Sequence, residues 1–155
     1  MLISTALISG KLNNNKGKKM ATRSIVNIKN NYSVYTYYRH CDGFLDNAGQ
    51  DLAILLKEAK NPKNFLNLIN RFIYDNGNPV YEYKCTQHNI EDEWSTESYG
   101  QEYTYQIIFN NNENNKLICE LTAYNDDMDV LYNAKNYKNI IANNFLNYCK
   151  QQKRI

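Results

Sequence analysis

The densest concentration of reactive side chains is the run Tyr38-Arg39-His40-Cys41-Asp42-Gly43-Phe44. It gathers a cation, an imidazole, a thiol and a carboxylate on backbone that Asp42-Gly43 must bend sharply, a common setting for binding groups. The same residues have an architectural reading. Asp-Gly is ordinary turn chemistry, Arg39 can pair with an acid, and His40 can hydrogen-bond within the fold. Nucleophilic catalysis would need Cys41 activated by a base. His40 is its neighbour, but adjacent residues on a strand point to opposite faces, so adjacency alone makes no dyad. A hydrolase or nuclease would have to use His40 and Asp42. There is no glycine-rich phosphate loop, no G-x-S-x-G and no Walker-type lysine, so an enzyme is the minority reading and no catalytic residue is assigned.

Three other sets of residues have recognisable chemistry. Cys85 and His88 form one C-x-x-H pair, whereas a structural zinc site shows two tight ligand pairs, so neither a metal nor a cofactor is expected. Residues 90–102, IEDEWSTESYGQE, carry five acids, no base and the only tryptophan. Glu91, Asp92, Glu93, Trp94 and Tyr99 could make a recognition strip for a basic partner, against the plainer reading of a solvated acidic loop with Trp94 tucked inward. Tyr35 and Tyr37 belong to a tyrosine-rich strand suited either to a sheet face or to stacking on a base, and Arg23, Arg39 and His40 would then grip phosphates.

The elements that must position these groups can be read from spacing. Ser24 to Ile28 and Tyr32 to Tyr38 are β-branched and aromatic runs joined by Lys29-Asn30-Asn31, a hairpin signal. Leu52, Leu55, Leu56 and Ala59 recur at helical spacing, which predicts a helix over 47–59 capped by Asp46 or Asn47. Asn61-Pro62 starts a second helix with the stripe Phe65, Leu66, Ile69, Phe72, Ile73, ending near Gly77. A short strand follows Pro79. Tyr103, Tyr105, Ile107 and Phe109 then alternate towards a loop, with Leu117, Cys119 and Leu121 alternating on the return. A last helix is predicted over 134–150 from Tyr137, Ile140, Ile141, Phe145 and Tyr148. The order ββααβββα predicts an α+β domain in which an antiparallel sheet of about five strands packs against two to three helices.

Composition bounds the class. Of 155 residues, 26 are asparagine, so amide rather than charge carries much of the solvation. Fourteen tyrosines, five phenylalanines and regular aliphatic spacing are still enough to build one core. Residues 1–41 hold seven bases and no acid, and the remainder holds eleven bases and sixteen acids. Residues 1–19, with four of those lysines, read as a flexible basic extension. Residues 20–155 read as a single domain of net charge −2, which disfavours bulk DNA as a partner. No segment reaches the roughly 18 apolar residues of a membrane span, so an intracellular protein with reduced thiols is expected.

MATRS at Met20 to Ser24, the tyrosine hairpin, YRHCDGF at Tyr38 to Phe44, and Gly49, Leu52, Leu55 and Leu56 beyond it resemble a family of small phage and prophage proteins. Members open with MATRS and carry a Y-x-H-W-D-G-Y motif. Here Cys41 stands where an aromatic is usual, Phe44 replaces tyrosine, and Leu45 occupies a position often held by proline. No general activity is known for the family, and what the resemblance implies is origin in a mobile genetic element. The expectation that follows is a non-enzymatic inhibitor of a host defence protein, anti-CRISPR-like, acting in the bacterial cytoplasm. The alternative is a sponge for a small cyclic nucleotide. A sheet of exposed tyrosines would also allow a homodimer.

Overall fold

A computed structural model describes residues 22–30, 33–75, 83–89, 100–113 and 116–152. Strands β1 (Ser24–Lys29) and β2 (Ser33–Arg39) form the expected hairpin. Asn30 closes it: its Oδ1 accepts the Ser33 N–H at 2.9 Å, and its own N–H reaches the Ser33 carbonyl at 3.1 Å. Helices α1 (Gln50–Glu58) and α2 (Pro62–Asp75) follow. Four further strands, β3 (Tyr83–Asn89), β4 (Tyr103–Glu113), β5 (Lys116–Tyr124) and β6 (Val130–Tyr137), precede the last helix, α3 (Lys138–Gln151). The class is α+β, as the residue patterns predict.

One helix start is as the sequence predicts. Asn61 Oδ1 accepts the Asn64 N–H at 2.7 Å, capping the helix that begins at Pro62, and Asn64 Oδ1 accepts the Lys60 N–H at 2.9 Å, one residue before the cap. The start of α1 differs from expectation. Neither Asp46 nor Asn47 caps it. Leu45–Gly49 wind as one wide π-helical turn, in which the Phe44 carbonyl takes the N–H groups of Asn47 and Gly49. The final helix is shorter than 134–150, because residues 130–137 form β6, a sixth strand.

The sheet runs β3-β2-β1-β4-β5-β6, and every pair is antiparallel except β1 with β4. A central strand bonded on both sides and covered on both faces has no polar alternation, and residues 24–28 of β1 are all buried. One face carries the core: Val26 and Ile28 of β1, Tyr37 of β2, Tyr105, Ile107 and Phe109 of β4, and Cys119, Leu121 and Ala123 of β5. Leu52 and Leu56 of α1, Phe65 and Ile69 of α2, and Ile141, Phe145 and Cys149 of α3 close over them. Ile140, expected on the apolar stripe of α3, points outward. Lys138 joins two helices instead: its buried Nζ donates to the Leu56 and Lys57 carbonyls at 2.8 and 2.9 Å, satisfying the C-terminus of α1.

The opposite face carries one row of hydrogen-bonding side chains across five strands. Thr36, Asn27, Gln106, Thr122 and Asn133 are successive cross-strand partners. Thr36 Oγ1 donates to Asn27 Oδ1 at 2.8 Å, and Asn133 Nδ2 donates to Thr122 Oγ1 at 2.8 Å.

Burial of weak acids gives the core an alkaline limit. Burial pushes the Cys119 and Cys149 thiols up to about 12 and raises Tyr105 well above its ordinary value. A thiol of ordinary acidity in the unfolded chain deprotonates from about pH 8.5. The stability these groups contribute is therefore full below that pH and is lost as pH rises towards 12. Tyr132 and Tyr148 are raised by burial too, so Lys138, lowered by burial, acts in the opposite sense as one group against five. The urea midpoint should hold level from pH 7 to 8.5 and fall steadily to pH 10.5; a level profile throughout would contradict it.

Candidate partner-binding site

The YRHCDGF run leaves the end of β2 and turns into α1, and its backbone is tightly specified. Asp42 takes a left-handed conformation, φ 56°, which aspartate tolerates better than most residues. Its carbonyl accepts the Ala48 N–H at 3.2 Å. Gly43 lies so close to the start of β1 that an added Cβ would stand 2.8 Å from the Arg23 carbonyl carbon and from Ser24 Cβ. Its N–H donates to the Thr22 carbonyl at 3.0 Å, and its carbonyl receives the buried Tyr105 hydroxyl at 2.7 Å. Phe44 then packs against Tyr103, with ring centroids 6.0 Å apart.

Arg39 is the centre of this arrangement and is only 1% exposed. Its Nη1 meets Asp51 Oδ2, in the first turn of α1, at 2.9 Å, and its Nε donates to the Cys41 carbonyl at 2.9 Å. One guanidinium thus ties the end of β2, the bend and α1 together. The expectation that Arg39 grips a ligand is corrected on this ground, since the group is interior and engaged. Tyr37 is corrected likewise: it is also 1% exposed, a core residue whose hydroxyl reaches Asn70 Oδ1 at 3.3 Å. Tyr35 is half-buried against the same core.

What the bend presents outward is smaller. Tyr38 lies on the face away from the helices, and its hydroxyl meets His40 Nδ1 at 2.8 Å with the two rings tilted at 55°. Both residues are half-buried, as is Asp42. Arg23 sits just before β1, where its N–H donates to Glu102 Oε1 at 3.0 Å and its carbonyl takes the Glu102 N–H at 3.0 Å. Gly100, at φ 72°, passes beneath the Arg23 guanidinium, with Nη1 3.1 Å from the position of an added Cβ. Of the sequence-predicted binding residues of this stretch, Arg23, Tyr35, His40 and Asp42 therefore keep surface, and Tyr38, which reads from sequence only as a member of the tyrosine-rich run, does so beside them.

No protein-family model, curated protein or solved structure matches this chain. Glu91, Asp92, Glu93, Trp94 and Tyr99 lie outside the described residues, as does the 1–19 extension. Cys85 and His88 occupy the β3 positions opposite Tyr37 and Val34. Sequence reasoning missed Asp51 and Tyr105 as structural partners of the motif. Asp51 reads as a first-turn acid of a helix and Tyr105 as a core position of an alternating strand, so no local signal pointed to either.

Proposed function

We propose that the chain is a non-enzymatic accessory protein of phage or prophage type that inhibits a bacterial host defence component by binding it. The observation that carries this reading is the fate of the motif. Arg39, its strongest charge, is spent holding the bend. The motif then offers a shaped polar and aromatic surface, Tyr38 with His40, rather than a reaction centre, and aromatic anchors beside polar groups are what protein interfaces use. A nucleotide sponge would have to rely on Arg23 and His40 without Arg39, which makes it the weaker reading. Among the described residues no helix is long and apolar enough to cross a membrane, which accords with action in the host cytoplasm.

Expression of the chain in bacteria carrying an active defence system should raise phage plaquing by at least about tenfold, and Tyr38→Ala with His40→Ala should abolish that gain while the protein stays folded. Equal plaquing with and without the chain across a panel of nuclease-based and nucleotide-signalling systems would overturn the proposal. An unchanged gain in the double variant would remove the Tyr38–His40 surface from it.

A further inference from the structure

We propose that the sheet face turned away from the helices is an interior surface, covered by the chain's own residues 90–99 on their way from β3 to β4. The centre of that face is buried. Ile25 and Val34 are each 1% exposed, and Asn27, Thr36 and Thr104 between 2% and 4%. Ile25 and Val34 nevertheless stand apart from the core cluster. They share the side of β1 and β2 that carries Asn27, Thr36 and Tyr38, whereas all three described helices close over the other side.

Connectivity names the occupant. β1, β3 and β4 run parallel to one another, because β2 is antiparallel to both β1 and β3, and β1 pairs parallel with β4. β3 ends at Asn89, opposite Ser33, whereas Gly100 passes beneath Arg23 at the opposite end of β1. A strand spacing of about 4.8 Å and a rise of about 3.3 Å per residue set these two points about 25 Å apart. The eleven Cα steps from 89 to 100 reach at most about 36–40 Å. That suffices to cross β2 and β1 directly. Climbing over a helix layer about 10–12 Å thick and descending again would add more than about 20 Å, which the link does not have.

Handedness selects the same face. The Asn30 N–H bonds the Ser33 carbonyl, so the alternate residues Val26 and Ile28, which face the helices, are those of β1 that bond β2. For L-residues this sets β2 and β3 to the right of an upward-running β1 seen from the helices, and β4 to its left. A link from β3 to β4 on the helix side would be left-handed. On the opposite side it is right-handed, the hand that about 98% of such crossovers take. The segment also carries Ile90, Trp94 and Tyr99, apolar groups that such a cover needs.

The test uses the full chain. In a methyl-labelled sample, nuclear Overhauser contacts from residues 90–99 should reach the methyl groups of Ile25 and Val34 and be absent at Leu56 and Ile141 on the helix side. Replacing residues 90–99 by a Gly-Ser run of equal length should strip Ile25 and Val34 of their protection from a soluble paramagnetic probe, while Leu56 and Ile141 keep theirs. If that variant does not fold, the contacts in the parent chain decide. Contacts to Ile25 and Val34 from residues 1–21, or from a second copy in a mixed-label sample, in place of 90–99, overturn the proposal. So does unchanged protection of Ile25 and Val34 in a folded Gly-Ser variant.

Discussion

Asp51→Ala should unfold about 10 °C below the parent chain. The substitution leaves the Arg39 guanidinium inside the protein without its carboxylate. A buried ion whose partner is removed costs about 3–5 kcal/mol, and each kcal/mol lowers the melting temperature of a domain this size by roughly 2–4 °C. The reverse change is gentler. Asp51 is 32% exposed, so in Arg39→Met its carboxylate keeps water, and the principal loss is the part-buried bond to the Cys41 carbonyl, about 1 kcal/mol. Thermal denaturation of both variants should rank Asp51→Ala below Arg39→Met. The opposite ranking would mean that the guanidinium is hydrated in the folded chain.

Gly43→Ala should cost about 3 kcal/mol, at the upper end of what overpacking produces. The obstructing atoms belong to backbone and to Ser24 Cβ, 2.8 Å from the new methyl group, so no side-chain rotation relieves the clash. The bend must lift from β1, and the bonds from Gly43 N–H to Thr22 and from Tyr105 to the Gly43 carbonyl lengthen together. Tyr105→Phe deletes only the second of these, so its urea midpoint should lie between those of the parent and Gly43→Ala. Equal midpoints for Gly43→Ala and the parent would show that the close approach is slack.

YRHCDGF was conspicuous because charged and reactive residue types cluster there, and it does occupy a sharp bend. Its chemistry suggested contact with a ligand, yet burial is decided by what folds over a residue, and nothing near Arg39 in the chain announces Asp51 twelve positions later. Local signals served well where the interaction itself is local, as in the Asn30 turn and the Asn61–Asn64 cap ahead of Pro62. The parallel join of β1 and β4 is invisible locally, because Ser24 and Tyr103 meet only in the finished sheet. β6 was hidden for another reason. Its register shift breaks the alternation, and Tyr137 fits a helical stripe as readily as the end of a strand, so the periodicity of α3 reached back over it.

The polar row on the second sheet face has a consequence for how the chain chooses among near-identical folds. A strand that slips by one residue exchanges its two faces. Here such a slip would drive Asn27 or Gln106 into the aliphatic layer under the helices, and each amide would lose partners in a dry setting. The row therefore works as a key cut across five strands, closed at its two ends by the Thr36–Asn27 and Asn133–Thr122 bonds. Seen this way, an amide-rich composition that is uninformative about activity acts as proofreading for strand alignment, written in uncharged groups whose fit is indifferent to salt and to pH over the physiological range.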